Sequence, residues 1–310
     1  MARAVVAEAY GGLEVLTVVE KEVPSPGIGE VTIEVRAAGV NPSDFKTISG
    51  EFGRNDASLP LPVGNEVAGV ITAVGLEAGP FAEGDEVVAF RVRGGWADSI
   101  TVAARSVFAK PASLSFDAAA GLLLTGTTAE HLLVATDVHD GDTVLIHGAS
   151  GSVGLLAAQL AIGRGARVIG TSSAARFDVL RRFGVEPVEY GDGLLDRVRE
   201  IAPEITVALD TVGTDEAVDV SVALVADRHR IATIAAFGRG GEAGIQLLGG
   251  SPGADPGTDI RNAAKAKLIA LAGEGRLLVE LGPSFPLEDA VEALRLVTTG
   301  HPGGKVVLHP

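Results

Sequence analysis

The sequence predicts an α/β chain: a mostly antiparallel β unit joined to a doubly wound parallel sheet. Three observations predict it. The first third runs in short alternating apolar stretches set apart by turn residues. Near residue 112 that rhythm changes to strands and helices in alternation. A glycine-rich bend, "GASGSVGLLAAQLA" at 148–161, follows the apolar run Val144–His147 and opens a long aliphatic stretch.

Taken in order, "VTIEVRAAGV" sets Val31, Ile33, Val35 and Ala37 on one face and Thr32, Glu34 and Arg36 on the other, the period of a half-buried strand. "EVAGVITAVG" and "DEVVAF" are strands flanking the turn-rich "GLEAGPFAEGD". "SLSFDAAAGLLLTGTTAEHLLVAT" reads as helical, with Ser115 as N-cap. Val144–His147 is a strand leading to a helix from about Ser152, and Arg167–Thr171 a strand leading to a helix over 177–183 ended by Gly184. Val188–Tyr190 is a short strand, followed by a helix that carries Leu194, Leu195, Val198 and Ile201 on one side. "ITVALD" is a strand, 216–226 a helix, "RIATIAAFG" a strand and "GIQLLGG" the last strand of the run. The tail holds a helix from Thr258, the extended "RLLVELGPSFP", a helix in "LEDAVEALRLVTTG" and a closing strand in "GKVVLHP".

Composition narrows the function. The chain has 310 residues and a net charge of −15, with no block of five or more like charges, so no basic face is offered to nucleic acid. There is no Cys, which excludes disulfides and thiolate-bound zinc. The N-terminus carries Glu8 and lacks a signal-type apolar stretch, and the most apolar window is broken by Thr, Glu and His. A cytoplasmic chain with no membrane span is expected.

"ASGSVG" at 149–154 fits the dinucleotide fingerprint with Gly151 and Gly154 in the second and third glycine positions and Ala149 in the first. The pyrophosphate set is Ser150, Gly151, Ser152 and Val153, since backbone N–H groups at a helix start donate to an anion. An acidic residue about 20 positions on would hold the ribose of NAD. "VIGTSSAARFD" offers Thr171, Ser172 and Ser173 there instead, then Arg176, and its first carboxylate, Asp178, lies inside the next helix. Hydroxyls and a guanidinium suit a 2′-phosphate, so NADPH is the expected cofactor.

Several stretches together resemble the zinc-independent quinone oxidoreductase (ζ-crystallin-like) branch of the medium-chain dehydrogenase/reductase superfamily. They are "AAGVNPSD" at 37–44, "PVGNEVAGVITAVG" at 62–75, "GGWAD", "LTGTTAEHLL", "GASGSVGLLAAQLA", "DTVG" and "FPLEDAVEAL…GKVVL". The resemblance implies a GroES-like domain of residues 1–115 and 257–310, a Rossmann domain of residues 116–256, and an active site in the cleft between them. Zinc-dependent relatives carry a Cys near Asn41 and a His near Asn65, where this chain has amides. The histidines, His131, His139, His147, His229, His301 and His309, stand at no metal-ligand spacing.

The resemblance also implies site residues. Asn41 matches a position beside the nicotinamide, and Thr127 one near its amide. Tyr190 matches a residue at the adenosine end. Lys46 stands where such reductases often carry Tyr, so it is either a carbonyl-polarising group or solvated. Phe237 and Gly238, read as the end of a strand, are expected near the nicotinamide. Asp44 and Glu66 are expected to stabilise turns around the cleft. The implied activity is metal-free hydride transfer from NADPH to a quinone or an α,β-unsaturated carbonyl, in a homodimer joined through "GIQLLGG". An enoyl or enone reductase with a dedicated metabolic substrate, and a non-catalytic NADPH-binding redox sensor, are the alternatives.

Overall fold

The computed structural model describes residues 1–300 and 302–310; His301 lies outside the described residues. The chain opens with β1 (Ala2–Ala7), β2 (Leu16–Lys21), β3 (Glu30–Gly39), α1 (Pro42–Ser49), β4 (Leu61–Pro62) and β5 (Glu66–Val74). Then come β6 (Glu86–Phe90), β7 (Ser99–Ala103), β8 (Val107–Ala109), α2 (Phe116–Ala120) and α3 (Leu123–Ala135). The alternating run is β9 (Thr143–His147), α4 (Ser152–Ile162), β10 (Arg167–Ser172), α5 (Phe177–Arg182), β11 (Glu186–Glu189) and α6 (Leu194–Ile201). It continues through β12 (Val207–Asp210), α7 (Asp215–Leu224), β13 (Ile231–Thr233), α8 (Phe237–Ala243) and β14 (Gln246–Leu247). The tail is α9 (Thr258–Gly273), β15 (Leu281–Pro286), α10 (Ala290–Thr299) and β16 (Lys305–His309). No helix is long and apolar enough to cross a membrane.

Two compact units result, residues 1–124 with 268–310, and residues 125–267. The cuts fall inside α3 and α9, later than the division ahead of α2 and α9 that the resemblance implies.

In the first unit a seven-stranded sheet runs β15-β16-β3-β5-β6-β8, with β7 also paired to β3, and a smaller sheet runs β2-β1-β4. The alternation of β3 sets its burial. Val31, Ile33, Val35 and Ala37 are buried, and Glu34 and Arg36 reach solvent. One pairing matters most for the chemistry. The chain's last strand, β16, lies antiparallel to β3, with Val307 opposite Gly39, and Val40 N–H donates to Val306 O at 3.0 Å. That register carries Lys305 to the residues that follow β3.

The second unit is a six-stranded sheet ordered β11-β10-β9-β12-β13-β14, and every pair is parallel. Strand order reverses between β9 and β12, where the chain leaves the sheet in opposite directions and ligands of such sheets bind. The predicted helical stretch after Ser115 is two helices, because α2 ends at Gly121; Ser115 Oγ caps α2 by accepting from Ala118 N. Phe237 and Gly238 do not end a strand. Thr233 Oγ1 accepts from Ala235 N and Ala236 N and donates to Asp210 Oδ2, which closes β13 at Thr233 and turns the chain so that Phe237 opens α8. Its glycines had masked that short helix in the sequence pattern.

Candidate functional site

The glycine bend lies at the switch point, between the ends of β9 and β12. Its left-handed turn is made by Gly148 (φ +72°), one residue before Ala149, so the missing first glycine of the fingerprint is displaced by one position. A side chain on Gly148 would be 2.8 Å from Thr211 Oγ1, and Thr211 itself donates to His147 O at 2.7 Å. Ala149 is fully buried, and Gly170 of β10 makes room for its methyl group. Gly154 lets α4 press onto the bend: a Cβ there would lie 2.4 Å from Gly148 O. Gly151 is the N-cap of α4 and supplies no side-chain cap, so nothing of the chain's own covers the first-turn amides of Ser152 and Val153 from that position.

β10 supplies the neighbouring wall. Thr171 turns inward: its Oγ1 accepts from Gly148 N at 3.1 Å and its carbonyl from Ala149 N at 3.0 Å. Thr171 therefore holds the bend, while Ser172 and Arg176 stand at the strand's end and just beyond it. Ser172 Oγ donates to Ser173 O, and Arg176 is half-buried at the start of α5. No carboxylate occurs from Thr171 to Phe177; Asp178 is 98% exposed and pairs with Arg181. Tyr190, half exposed, follows β11. These residues fit a dinucleotide with an extra phosphate: a backbone anion site, a tight helix approach, and a guanidinium in place of a ribose-binding acid.

The first unit holds a buried polar cluster where β3 meets α1. Asn41, Asp44, Glu66 and Lys305 are each 2% exposed or less. Lys305 Nζ donates to Asn41 Oδ1 and to Glu66 Oε1 (2.8 Å), and Asn41 Nδ2 donates to the same Glu66 oxygen (3.1 Å). Glu66 Oε2 accepts from Leu124 N at 2.9 Å. Asp44 accepts from Asn41 N and from Asn65 Nδ2, both at 2.8 Å, so it caps α1 and steadies Asn65. Burial pushes the Asp44 carboxyl up to about 7, against the lowering effect of those donors. Lys46 faces elsewhere, with its ammonium 3.2 Å from Glu51. In the second unit, Thr127 is fully buried in the first half of α3.

His147, at the end of β9, is buried as well. Ser221 Oγ donates to Ala217 O, so His147 Nε2–H donates to Ser221 Oγ (3.1 Å). Burial drives its pKa from 6.5 down to about 4, with Asp210 opposing. An unfolded histidine binds a proton in that interval and the folded one does not, so the His147 contribution to stability falls as pH drops from 6.5 towards 4. Folded Asp44 keeps a proton that an unfolded aspartate loses near 3.8, so its contribution falls as pH rises towards 7. The two slopes oppose each other. In urea titrations across this range, Asp44→Asn is expected to steepen the loss of stability on acidification, and His147→Gln the loss on raising the pH. Parallel changes in the two variants would contradict both assignments.

Two family models match the chain: the alcohol dehydrogenase GroES-like domain over residues 27–139, and zinc-binding dehydrogenase over residues 152–249. The quinone oxidoreductase of Pseudomonas aeruginosa is 31% identical over the whole of both chains.

The chain belongs to the quinone oxidoreductase branch of the medium-chain dehydrogenases/reductases.

It is an oxidoreductase, and the branch's two-part architecture is the one observed. The NADPH-dependent alkenal/one oxidoreductase of Arabidopsis thaliana is 29% identical over 97% of this chain and 78% of its own. The Escherichia coli quinone oxidoreductase, solved in complex with NADPH, superposes with a TM-score of 0.86 at 26% identity over the whole of both chains.

The second family model is named for zinc, and the residues of this quinone oxidoreductase branch member do not fit that ion. Asn41 and Asn65 offer amides where zinc takes thiolate or imidazole, and the nearby carboxylate, Glu66, is already held by an ammonium. Among the described residues no group of three or more His, Cys, Asp or Glu side chains is placed to hold a metal.

Sequence reasoning missed Lys305 and Gly148. Lys305 lies 239 residues from Glu66, and a Lys opening an apolar strand gives no short-range sign of where it ends. Gly148 lies in the bend, but the fingerprint spacing puts the first glycine position at Ala149.

Proposed function

We propose that the chain is an NADPH-dependent oxidoreductase that delivers hydride, without a metal, to a quinone or to an activated C=C bond conjugated to a carbonyl. The observation that carries the cofactor choice is the end of β10, where Ser172 and Arg176 stand and no carboxylate precedes the exposed Asp178. The relatives named for quinones and for alkenals and alkenones support the acceptor class.

NADPH supplies the hydride when bound. The chain then has to orient the acceptor and stabilise the charge that reaches its oxygen, which one or two donors achieve. In this reading Asn41 and Thr127 serve the nicotinamide end, and Phe237 and Gly238 flank it. Tyr190 serves the adenosine, Ser150 to Val153 the pyrophosphate, and Arg176 with Ser172 the 2′-phosphate. Thr171 acts indirectly, by holding Gly148. Lys46 would have to leave Glu51 before it could polarise a carbonyl. A homodimer joined through the edge strand β14 belongs to the same proposal.

The test is cofactor discrimination. Charge-assisted hydrogen bonds to the phosphate are worth about 1.5–3 kcal/mol, so Arg176→Ala is expected to weaken NADPH by about tenfold to a hundredfold while NADH stays near its original affinity. Equal losses for both would refute the 2′-phosphate role. Absence of NADPH oxidation with a panel of quinones, enones and enoyl thioesters, despite tight NADPH binding, would refute the enzyme reading in favour of a sensor.

A further inference from the structure

A cavity of about 380 Å³ opens in the first unit beside the C-terminal end of α1, lined by Tyr10, Thr47, Phe52, Arg54 and Arg93 among others. Its construction is specific. Gly50 ends α1 at φ +81°, and the stem of Arg54 fills the space its side chain would need; a Cβ there would lie 2.5 Å from Arg54 Nε. The guanidinium donates to Ser49 O at 3.2 Å and lies over the Tyr10 ring, 5.6 Å from its centre. Tyr10 is fixed in turn, since its hydroxyl accepts from Asn55 N at 2.8 Å. Arg54 is thus preorganised, with donors to spare. Phe52 adds an apolar surface that is 39% exposed.

Among the described residues, neither Arg54 nor Arg93 forms an ion pair, although the chain carries 40 acidic side chains against 25 basic ones. Two guanidinium groups without a carboxylate, on one cavity with two aromatic rings, match a ligand of opposite chemistry. We propose that this cavity binds the carboxylate end of an acceptor with an apolar body, and so selects carboxylated quinones or enones. α1 connects it to the polar cluster: the helix rise from Asn41 to Thr47 is about 9 Å, the span of a short alkyl chain. The proposal rests on the hydride-acceptor reading for the reaction but not for the binding.

Calorimetry with phenylvalerate and its methyl ester tests the binding. The acid is expected to bind at least about tenfold more tightly than the ester, and the Arg54→Gln/Arg93→Gln double variant to bring the two together. Arg93→Gln alone, at a side chain with no partner to lose, is expected to remove part of the preference without touching the Arg54–Tyr10 stack. Equal affinity of acid and ester, an unchanged preference in the variants, or equal competition by inorganic phosphate would overturn the site. Turnover tests the selection: for a para-benzoquinone with a carboxyalkyl chain and for its methyl ester, the ratio of kcat/KM values is expected to be about ten or more and to fall towards one in the double variant. If neither quinone is reduced while phenylvalerate shows the expected pattern, the acceptor reading fails and the carboxylate site stands.

Discussion

Replacing Lys305 by methionine is expected to lower the free energy of unfolding by about 3–5 kcal/mol, because it leaves Glu66 charged and unpaired in a buried setting. Methionine keeps the volume and flexibility of the stem, so the loss reports on the ammonium and not on a cavity. Lys305 and Glu66 are 2% and 0% exposed, and the ammonium also fixes the Asn41 carboxamide. A double-mutant cycle separates pairing from packing. Glu66→Gln should be costly alone and much less so beside Lys305→Met, because the charge it removes has already lost its partner. Additive losses in urea unfolding would show that the two charges are not coupled. If Asn41 serves the reaction, kcat of the remaining folded Lys305→Met protein should fall too, since the amide oxygen loses its donor and only the bond from Nδ2 to Glu66 still orients it.

The second large effect concerns two glycines of the bend that act in different ways. At Gly154 an alanine methyl would lie 2.4 Å from Gly148 O and 2.7 Å from Ala149 Cα, both backbone atoms that cannot move without opening the turn. Gly154→Ala is expected to cost about 1–3 kcal/mol and to weaken the cofactor at least tenfold, because the amides of Ser152 and Val153 shift with α4. Gly151 has ordinary backbone angles (φ −77°, ψ 165°), and its nearest neighbour would be Gly148 O at 3.3 Å. Gly151→Ala is expected to leave stability within about 0.5 kcal/mol and still weaken the cofactor, by keeping the pyrophosphate off the backbone. Urea unfolding and fluorescence titration with NADPH read the two effects separately. Unchanged cofactor affinity in Gly151→Ala would remove the bend from the binding site.

Much of this was legible before folding. The alternation of β3, the N-cap at Ser115, the parallel run from β9 to β14 and the helix start at Ser152 all follow from local periodicity and capping chemistry, which neighbouring residues set. The cofactor reading from "TSSAAR" is equally local, because strand and bend are close in sequence. The misreadings share a cause. Phe237 and Gly238 looked like the end of a strand because β13 is stopped by a side chain, Thr233, bonded to Asp210 on the next strand. The part Thr171 plays in holding the bend was hidden in the same way, because the partner of its hydroxyl, Gly148 N, is 23 residues away.

Composition and spacing by themselves determined the α/β class, the glycine bend between strand and helix, and the lack of thiolate ligands. Those features depend on residue types within a few positions of one another. Only the tertiary structure decided that Lys305, from the chain's last strand, is the cation between Asn41 and Glu66, and that Arg54 and Arg93 share a cavity. Strand pairing across more than two hundred residues sets the first, and the fold of α1, its following loop and the sheet sets the second. Such long-range pairings leave no periodic trace in the sequence, because the free energy that selects them comes from burial and charge pairing that exist only once the chain has folded.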